Sequence, residues 1–196
     1  MKFKKANSIN NKEKKIVNKV LDTGSLSKFI ADPNNALKGG KYVEKFENDL
    51  KKYFKVKHAI SVNSWTSGLV AIIGSIGLKQ GDEVILSPWT MSACVSSILA
   101  WGAIPIFCDI DKETFCINPK LIKSKISKKT RAIMAIDIFG QSSDINNIKK
   151  IIKNRKIILI SDSAQAIGSK YYGKFSGTVS DIGGFSFNYH KHIHTG

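Results

Sequence analysis

From residue 58 to residue 161, short solid apolar runs alternate with segments of helical periodicity. The runs are His58–Val62, Glu83–Ser87, Ile104–Cys108, Arg131–Ile136 and Lys156–Ser161, with a last one over Ile182–Phe187. Helical spacing covers 66–78, about 91–101, a segment opened by Asn118-Pro119, and 144–153. Proline suits the first turn of a helix, where its missing N–H costs nothing. Strands that are apolar at successive positions are buried on both faces, and regular strand–helix alternation makes neighbouring strands parallel. The expected fold is therefore α/β: a mainly parallel sheet with helices on both faces. Two helices, 12–21 and 41–54, precede it, joined by a loop holding Gly24, Asp32-Pro33 and Gly39-Gly40.

Ligands of such a sheet collect beyond the carboxyl ends of the strands. Five segments fall there: Asn63–Gly68, Pro88–Met91, Asp109–Asp111, Asp162–Gln165 and Ser186–Lys191. Neither a GxGxxG nor a GxxxxGK[ST] pattern occurs, so the dinucleotide and P-loop readings lack their fingerprints.

Charge and cysteine content narrow the classes further. The net charge of +16 raises a nucleic-acid reading, but nearly all of it is lysine; Arg131 and Arg155 are the only arginines. Arginine forks with interleaved aromatics are what phosphate and base readers use, so a solvated lysine-rich surface is the better account. Cys94, Cys108 and Cys116 are odd in number and lack CxxC spacing, which suits reduced structural cysteines in apolar surroundings. No apolar run reaches membrane-spanning length, and no apolar signal core follows the basic Met1–Lys5. A cytoplasmic protein with neither membrane nor nucleic acid as partner is expected.

Each strand-end segment has a structural and a chemical reading. Hydroxyls and free N–H groups over Asn63–Gly68 suit phosphate; Ser64 or Thr66 also suits a plain helix cap. Asp162 follows a buried strand, so its carboxylate needs a partner: a protonated pyridine, a capping amide or a magnesium ion. Lys191 stands between His190 and His192 just past an apolar strand, and a lysine among cations and apolar groups becomes nucleophilic. Among so many lysines, simple exposure is the bland alternative. His190, His192 and His194 share one side if the segment is extended, yet no carboxylate or cysteine close by completes a metal site, so none is expected. An aspartate on one strand end and a Ser186…Lys191 pair on a later one is what a pyridoxal phosphate site requires.

Taken in order, these segments resemble the DegT-type nucleotide-sugar aminotransferases, a branch of the fold type I pyridoxal phosphate enzymes. The resemblance runs from about Asp22 to Gly196. It is carried by Gly39-Gly-Lys-Tyr-Val-Glu-Lys-Phe-Glu47, Asn63–Leu69, Gly81-Asp-Glu-Val84, Gly102–Asp111, Phe139-Gly-Gln141, Asp162–Ala166 and Phe185-Ser-Phe…Lys191. It implies an aspartate aminotransferase-like large domain with pyridoxal 5'-phosphate as cofactor. Lys191 would form the Schiff base and then move a proton between substrate carbon and cofactor. Asp162 would pair with the pyridine nitrogen, Gln165 would lie beside the phenolic oxygen, and Ser186, Thr66 and Ser67 would hold the phosphate. Met91 aligns with the stacking aromatic of the family, and Trp89 is the other candidate for that role. Trp65 departs from the pattern, since the family usually has glycine or another small residue there.

The implied reaction moves an amino group, from glutamate as donor, to a keto sugar nucleotide for amino-sugar and surface-polysaccharide synthesis, in a cytoplasmic homodimer. The resemblance divides the chain into an N-terminal helix and arm, 1–40, and an incomplete cofactor-binding large domain, 41–196, with the small C-terminal domain absent. A fragment of this kind is expected to be inactive alone. Three alternatives stay open: a sugar dehydratase of the same family, in which histidine typically replaces the lysine; an inactive fragment; and a basic anion-binding module.

Overall fold

In the computed structural model, which describes residues 9–26, 28 and 38–195, the chain divides into two units, one up to Ser61 and one from Val62 on. The Asp32-Pro33 part of the expected loop lies outside the described residues, as do Met1–Lys5 and Gly196.

The first unit holds helices α1 (Asn11–Asp22) and α2 (Lys41–Phe54). Asn10 starts α1 with a capping box: its side chain accepts from Lys12 N–H, and the Glu13 carboxylate accepts from Asn10 N–H. Lys55, at φ 55°, ends α2 in the left-handed conformation common at helix C-termini. Glu47 of α2 ties down the following segment by accepting from both the N–H and the hydroxyl of Ser61, at 2.8 and 2.9 Å.

The second unit runs α3 (Trp65–Ser75), β1 (Glu83–Leu86), α4 (Ser92–Leu99), β2 (Ile104–Phe107), α5 (Pro119–Lys125), β3 (Thr130–Ile136), α6 (Ile145–Ile152), β4 (Ile158–Asp162), β5 (Lys170–Tyr171), β6 (Lys174–Phe175) and β7 (Ile182–Gly184). Strands β2-β1-β3-β4-β7 form one sheet in that order, and every pairing within it is parallel. Side chains alternate across the sheet, so Val84, Leu86, Met134 and Ile160 meet α3 and α4 through Leu69, Ile73, Cys94 and Ile98. Ile85, Ile133, Ala135 and Leu159 point the other way, to Ile122 of α5 and Ile145, Ile148 and Ile152 of α6. The expected parallel sheet with helices on both faces is thus present.

Three elements depart from the sequence reading. His58–Val62 is in no strand; Ile60 is 84% and Val62 47% exposed, so this apolar run lacks the second face that a central strand would bury. The last strand stops at Gly184 rather than Phe187, because its partner β4 ends at Asp162, which pairs with Gly184. Helix α3 ends at Ser75, just before Gly77 at φ 72°. A small antiparallel hairpin, β5–β6, is additional. Its two turn residues, Tyr172 and Gly173, have φ of 47° and 79°, the positive pair that a type I′ turn demands.

Candidate active site

Asp162 closes β4 and is only 5% exposed. A carboxylate in that position is costly unless donors surround it. Three do. The Trp65 indole N–H donates to Oδ1 at 2.7 Å, the Ala164 N–H donates to Oδ1 at 3.0 Å, and the Cys94 thiol donates to Oδ2 at 3.0 Å. The thiol in turn lies 3.0 Å from the Thr90 hydroxyl. Burial first, and then the neighbouring Asp162 charge, pushes the Cys94 thiol far above its ordinary range, so it stays a neutral S–H donor. Cys94 is therefore more than the apolar filler its surroundings in sequence suggest. All three cysteines are free and buried.

Every partner of Asp162 is neutral, and among the described residues no cation forms an ion pair with it. A carboxylate has about four acceptor sites. Two donors fill Oδ1 and one reaches Oδ2, which leaves one acceptor on Oδ2. A buried anion with a spare acceptor and only neutral neighbours fits a cationic ring N–H.

The second cluster lies beyond β7. Phe139, Gln165, His190, Lys191 and His192 line a cavity of about 340 Å³. Gln165 is fixed there, since its Oε1 accepts from Phe139 N–H at 2.8 Å. Phe139 itself sits at φ 53°, a strained conformation for a bulky residue, inside the short 3-10 turn Ile138–Gly140. Lys191 N–H donates to Asn188 O at 2.8 Å, closing a local turn. The histidine segment is consequently not extended, and the rings of His190 and His194 both pack edge-on against Tyr189, at 5.2 and 5.7 Å.

The remaining expected residues are placed as follows. Ser64 caps α3 by accepting from Ser67 N–H at 3.1 Å, so capping there belongs to Ser64, with Thr66 and Ser67 in the first turn. That turn carries backbone N–H groups with no intrahelical acceptor. Ser186 is buried and its hydroxyl accepts from Asn188 N–H at 3.4 Å. The Trp89 ring lies 6.4 Å from Phe115, while Met91 is 63% exposed at the start of α4. The structure therefore joins Gln165 with Lys191, and Asp162 with Trp65 and Cys94. The hydroxyls at Thr66, Ser67 and Ser186 are positioned by their own local turns.

Sequence reasoning missed a second buried carboxylate. Asp137 follows β3, accepts from Ser143 N–H at 2.8 Å and from the Ser163 hydroxyl, and donates its own N–H to Asp162 O at 2.9 Å. Burial pushes its carboxyl up, against the pull of the Ser143 and Ser163 hydrogen bonds. The available signal was an acidic residue at the end of the apolar run Ala132–Ile136, the same signal that marked Asp162.

Comparison with known proteins identifies the family and the fold. Residues 10–196 match the DegT/DnrJ/EryC1/StrS aminotransferase family. The chain belongs to that family. It is 39% identical to the GDP-perosamine synthase of Escherichia coli O157:H7 over 189 residues, 96% of this chain and 49% of that protein. The crystallised aminotransferase from Psychrobacter cryohalolentis superposes with a TM-score of 0.90 at 29% identity, over 100% of this chain and 47% of that one. The E. coli GDP-4-keto-6-deoxy-D-mannose-3-dehydratase, solved with hydrated pyridoxal phosphate, gives 0.86 at 28% identity, over 96% of this chain and 47% of that one. The chain thus spans about half the length of the curated relatives it matches.

Proposed function

We propose that this chain serves a pyridoxal 5'-phosphate-dependent aminotransferase, which moves an amino group from glutamate to a keto sugar nucleotide. The observation that carries the reading is Asp162: a buried carboxylate at a strand end, with neutral donors only and one acceptor to spare. Family membership and the similarity to GDP-perosamine synthase support the substrate class. When bound, pyridoxal phosphate supplies an aldehyde that takes an amine and a ring that accepts electrons.

The residues of this chain divide the work. Asp162 would hold a proton on the ring nitrogen. Thr66 and Ser67, on the first turn of α3, and Ser186 hold the phosphate, with the positive end of the helix adding to the attraction. Gln165, fixed by Phe139, would face the phenolic oxygen, and Met91 or Trp89 would flank the ring. Lys191 would hold the group through its amine and, once displaced by the substrate amine, would carry a proton to and from the substrate carbon. The amino group is transferred to the sugar ketone and glutamate leaves as its keto acid. We further assign the reaction to a cytoplasmic homodimer, which sedimentation and cell fractionation test directly.

The test is an absorption spectrum of the full-length protein with pyridoxal phosphate, before and after borohydride, followed by peptide mapping. Trapping on Lys191 supports the reading. Trapping on no residue, or salt-sensitive DNA binding without any cofactor dependence, overturns it. The dehydratase reading has the solved E. coli relative in its favour. It requires sugar deoxygenation without amino transfer, and appearance of an amino sugar excludes it.

A further inference from the structure

We propose that Trp65 is a positioning residue for this site: its indole N–H fixes Asp162 through Oδ1, turning Oδ2 to the ligand's ring nitrogen and keeping the shared proton on that nitrogen. This rests on the aminotransferase reading above and goes beyond it in assigning a role to a residue foreign to the family pattern.

The geometry points this way on three counts. First, Trp65 and Ala164 together fill both acceptor sites of Oδ1, at 2.7 and 3.0 Å. The Ala164 donor is backbone, two residues from Asp162, and any non-proline residue supplies it. The indole comes from another element, 97 positions away, and makes the shorter of the two bonds. Second, the chain makes room for it. A Cβ on Gly184, the register partner of Asp162, would overlap the six-membered ring of the indole, and one on Gly68 would lie 2.9 Å from it. Two small residues on different elements thus form a socket that aims the N–H at Oδ1. Third, a tryptophan that merely fills a core needs any acceptor for its N–H. Trp101, 46% exposed in the same unit, shows that a backbone carbonyl suffices, donating to that of Val70 at 2.8 Å. Trp65 donates to the one buried carboxylate that the proposed cofactor uses.

Donors to a carboxylate stabilise its charged form and lower its pull on a shared proton. Removing the indole N–H therefore moves that proton from the ring nitrogen toward Asp162. The experiment uses full-length protein loaded with pyridoxal phosphate carrying nitrogen-15 in the ring. In Trp65→Phe, which keeps an aromatic ring in the socket and lacks the N–H, the ring-nitrogen resonance is expected to shift toward the neutral pyridine position at unchanged pH. Gly184→Ala, which displaces the indole, is expected to shift it in the same sense. A second readout needs no variant: in the unsubstituted protein, the Trp65 indole N–H resonance should move when the cofactor binds, because Asp162 is shared. Ring-nitrogen resonances that coincide with and without the indole N–H, or an indole resonance indifferent to cofactor, overturn the inference while the aminotransferase reading stands. Failure of the unsubstituted protein to trap cofactor on Lys191 overturns both.

Discussion

Asp162 and Lys191, the two groups on which the proposed chemistry depends, are held in opposite ways. Asp162 is sealed at the end of a central strand and drawn on by donors from α3, from α4 and from its own turn. Lys191 sits past the end of β7 in a turn closed by Asn188, a neighbour in sequence. The difference follows from physical chemistry. A buried anion without donors costs several kcal/mol, so the fold must bring distant residues to it. A half-exposed ammonium is hydrated and makes no such demand. One half of the site is therefore built into the core, and the other is attached to it by local structure.

Substitution at the two positions offers the sharpest way to break this comparison. In the full-length protein, Lys191→Ala should abolish amino transfer and borohydride trapping yet change unfolding stability by no more than about 0.5 kcal/mol. Asp162→Ala should also abolish transfer, but with a stability loss of about 2–6 kcal/mol, because it strands a half-buried indole N–H and an amide N–H at roughly 1–3 each. Denaturant melts alongside activity assays give both quantities. Equal stability losses for the two variants would contradict the asymmetry.

Gly184→Ala sharpens the same point at one remove. Gly183 and Gly184 face opposite sides of the sheet: a Cβ on Gly183 would overlap Gly177, and one on Gly184 would overlap Trp65. A methyl at 184 is expected to cost about 1–3 kcal/mol through overpacking. It should also reduce cofactor affinity, read by titration, although Gly184 itself is assigned no contact with the cofactor. A destabilised variant with unchanged affinity would separate the packing role from the site.

Asp137 gives a third and smaller contrast, since it is a buried carboxylate one strand over with no proposed ligand. Its folded-state carboxyl is raised by burial from the ordinary 3.8. A raised acid favours the protonated folded form, so its contribution to stability is complete below the ordinary value and is lost as pH rises through the folded value. Asp137→Asn should flatten that part of the pH–stability curve, and should cost about 1–2 kcal/mol, because its NH2 group replaces one of the two oxygens that accept from Ser143 N–H and the Ser163 hydroxyl. Urea midpoints between acid and neutral pH test it.

The same logic explains what could be read from sequence. Glu83–Leu86, Thr130–Ile136 and Ile158–Asp162 are legible because a strand buried on both faces must be apolar throughout, and they fall within two residues of their expected bounds. Helix α5 is legible through Asn118 and Pro119, which cap and open it as expected. His58–Val62 has the composition of a strand and no sheet to join, which composition cannot reveal. The β5–β6 hairpin hides because two-residue strands such as Lys170–Tyr171 carry no periodicity. Asp162 and Lys191 were visible as residue types at strand ends. Trp65 was visible only as a departure from the family pattern, and Gly184 only as one of two glycines; that the two fit each other is a contact between elements far apart in sequence, which local patterns do not encode.

The smallest expected effect belongs to Tyr171, a surface counterpart of the Asp162 arrangement. Its hydroxyl donates to Asp144 Oδ1 at 2.8 Å and accepts from Asn146 N–H at 3.1 Å, at the start of α6. Burial and the nearby Asp144 raise the phenol from 10.0 to about 12. For Asp144, partial burial pushes the carboxyl up, but hydrogen bonds from Tyr171 and Asn147 outweigh it and the net direction is down. The signs differ accordingly. The Tyr171 contribution is full below the ordinary phenol value and is lost as pH rises from 10.0 toward about 12. The Asp144 contribution is present above the ordinary carboxylate value and is lost as pH falls through its lowered folded value. Tyr171→Phe should cost about 1 kcal/mol near neutrality and weaken both slopes, leaving cofactor trapping on Lys191 intact. This carboxylate and its donors are only partly buried, so water reaches them and replaces much of what the variant removes. Were Tyr171→Phe to cost as much as Asp162→Ala, burial would not be what sets the two carboxylates apart.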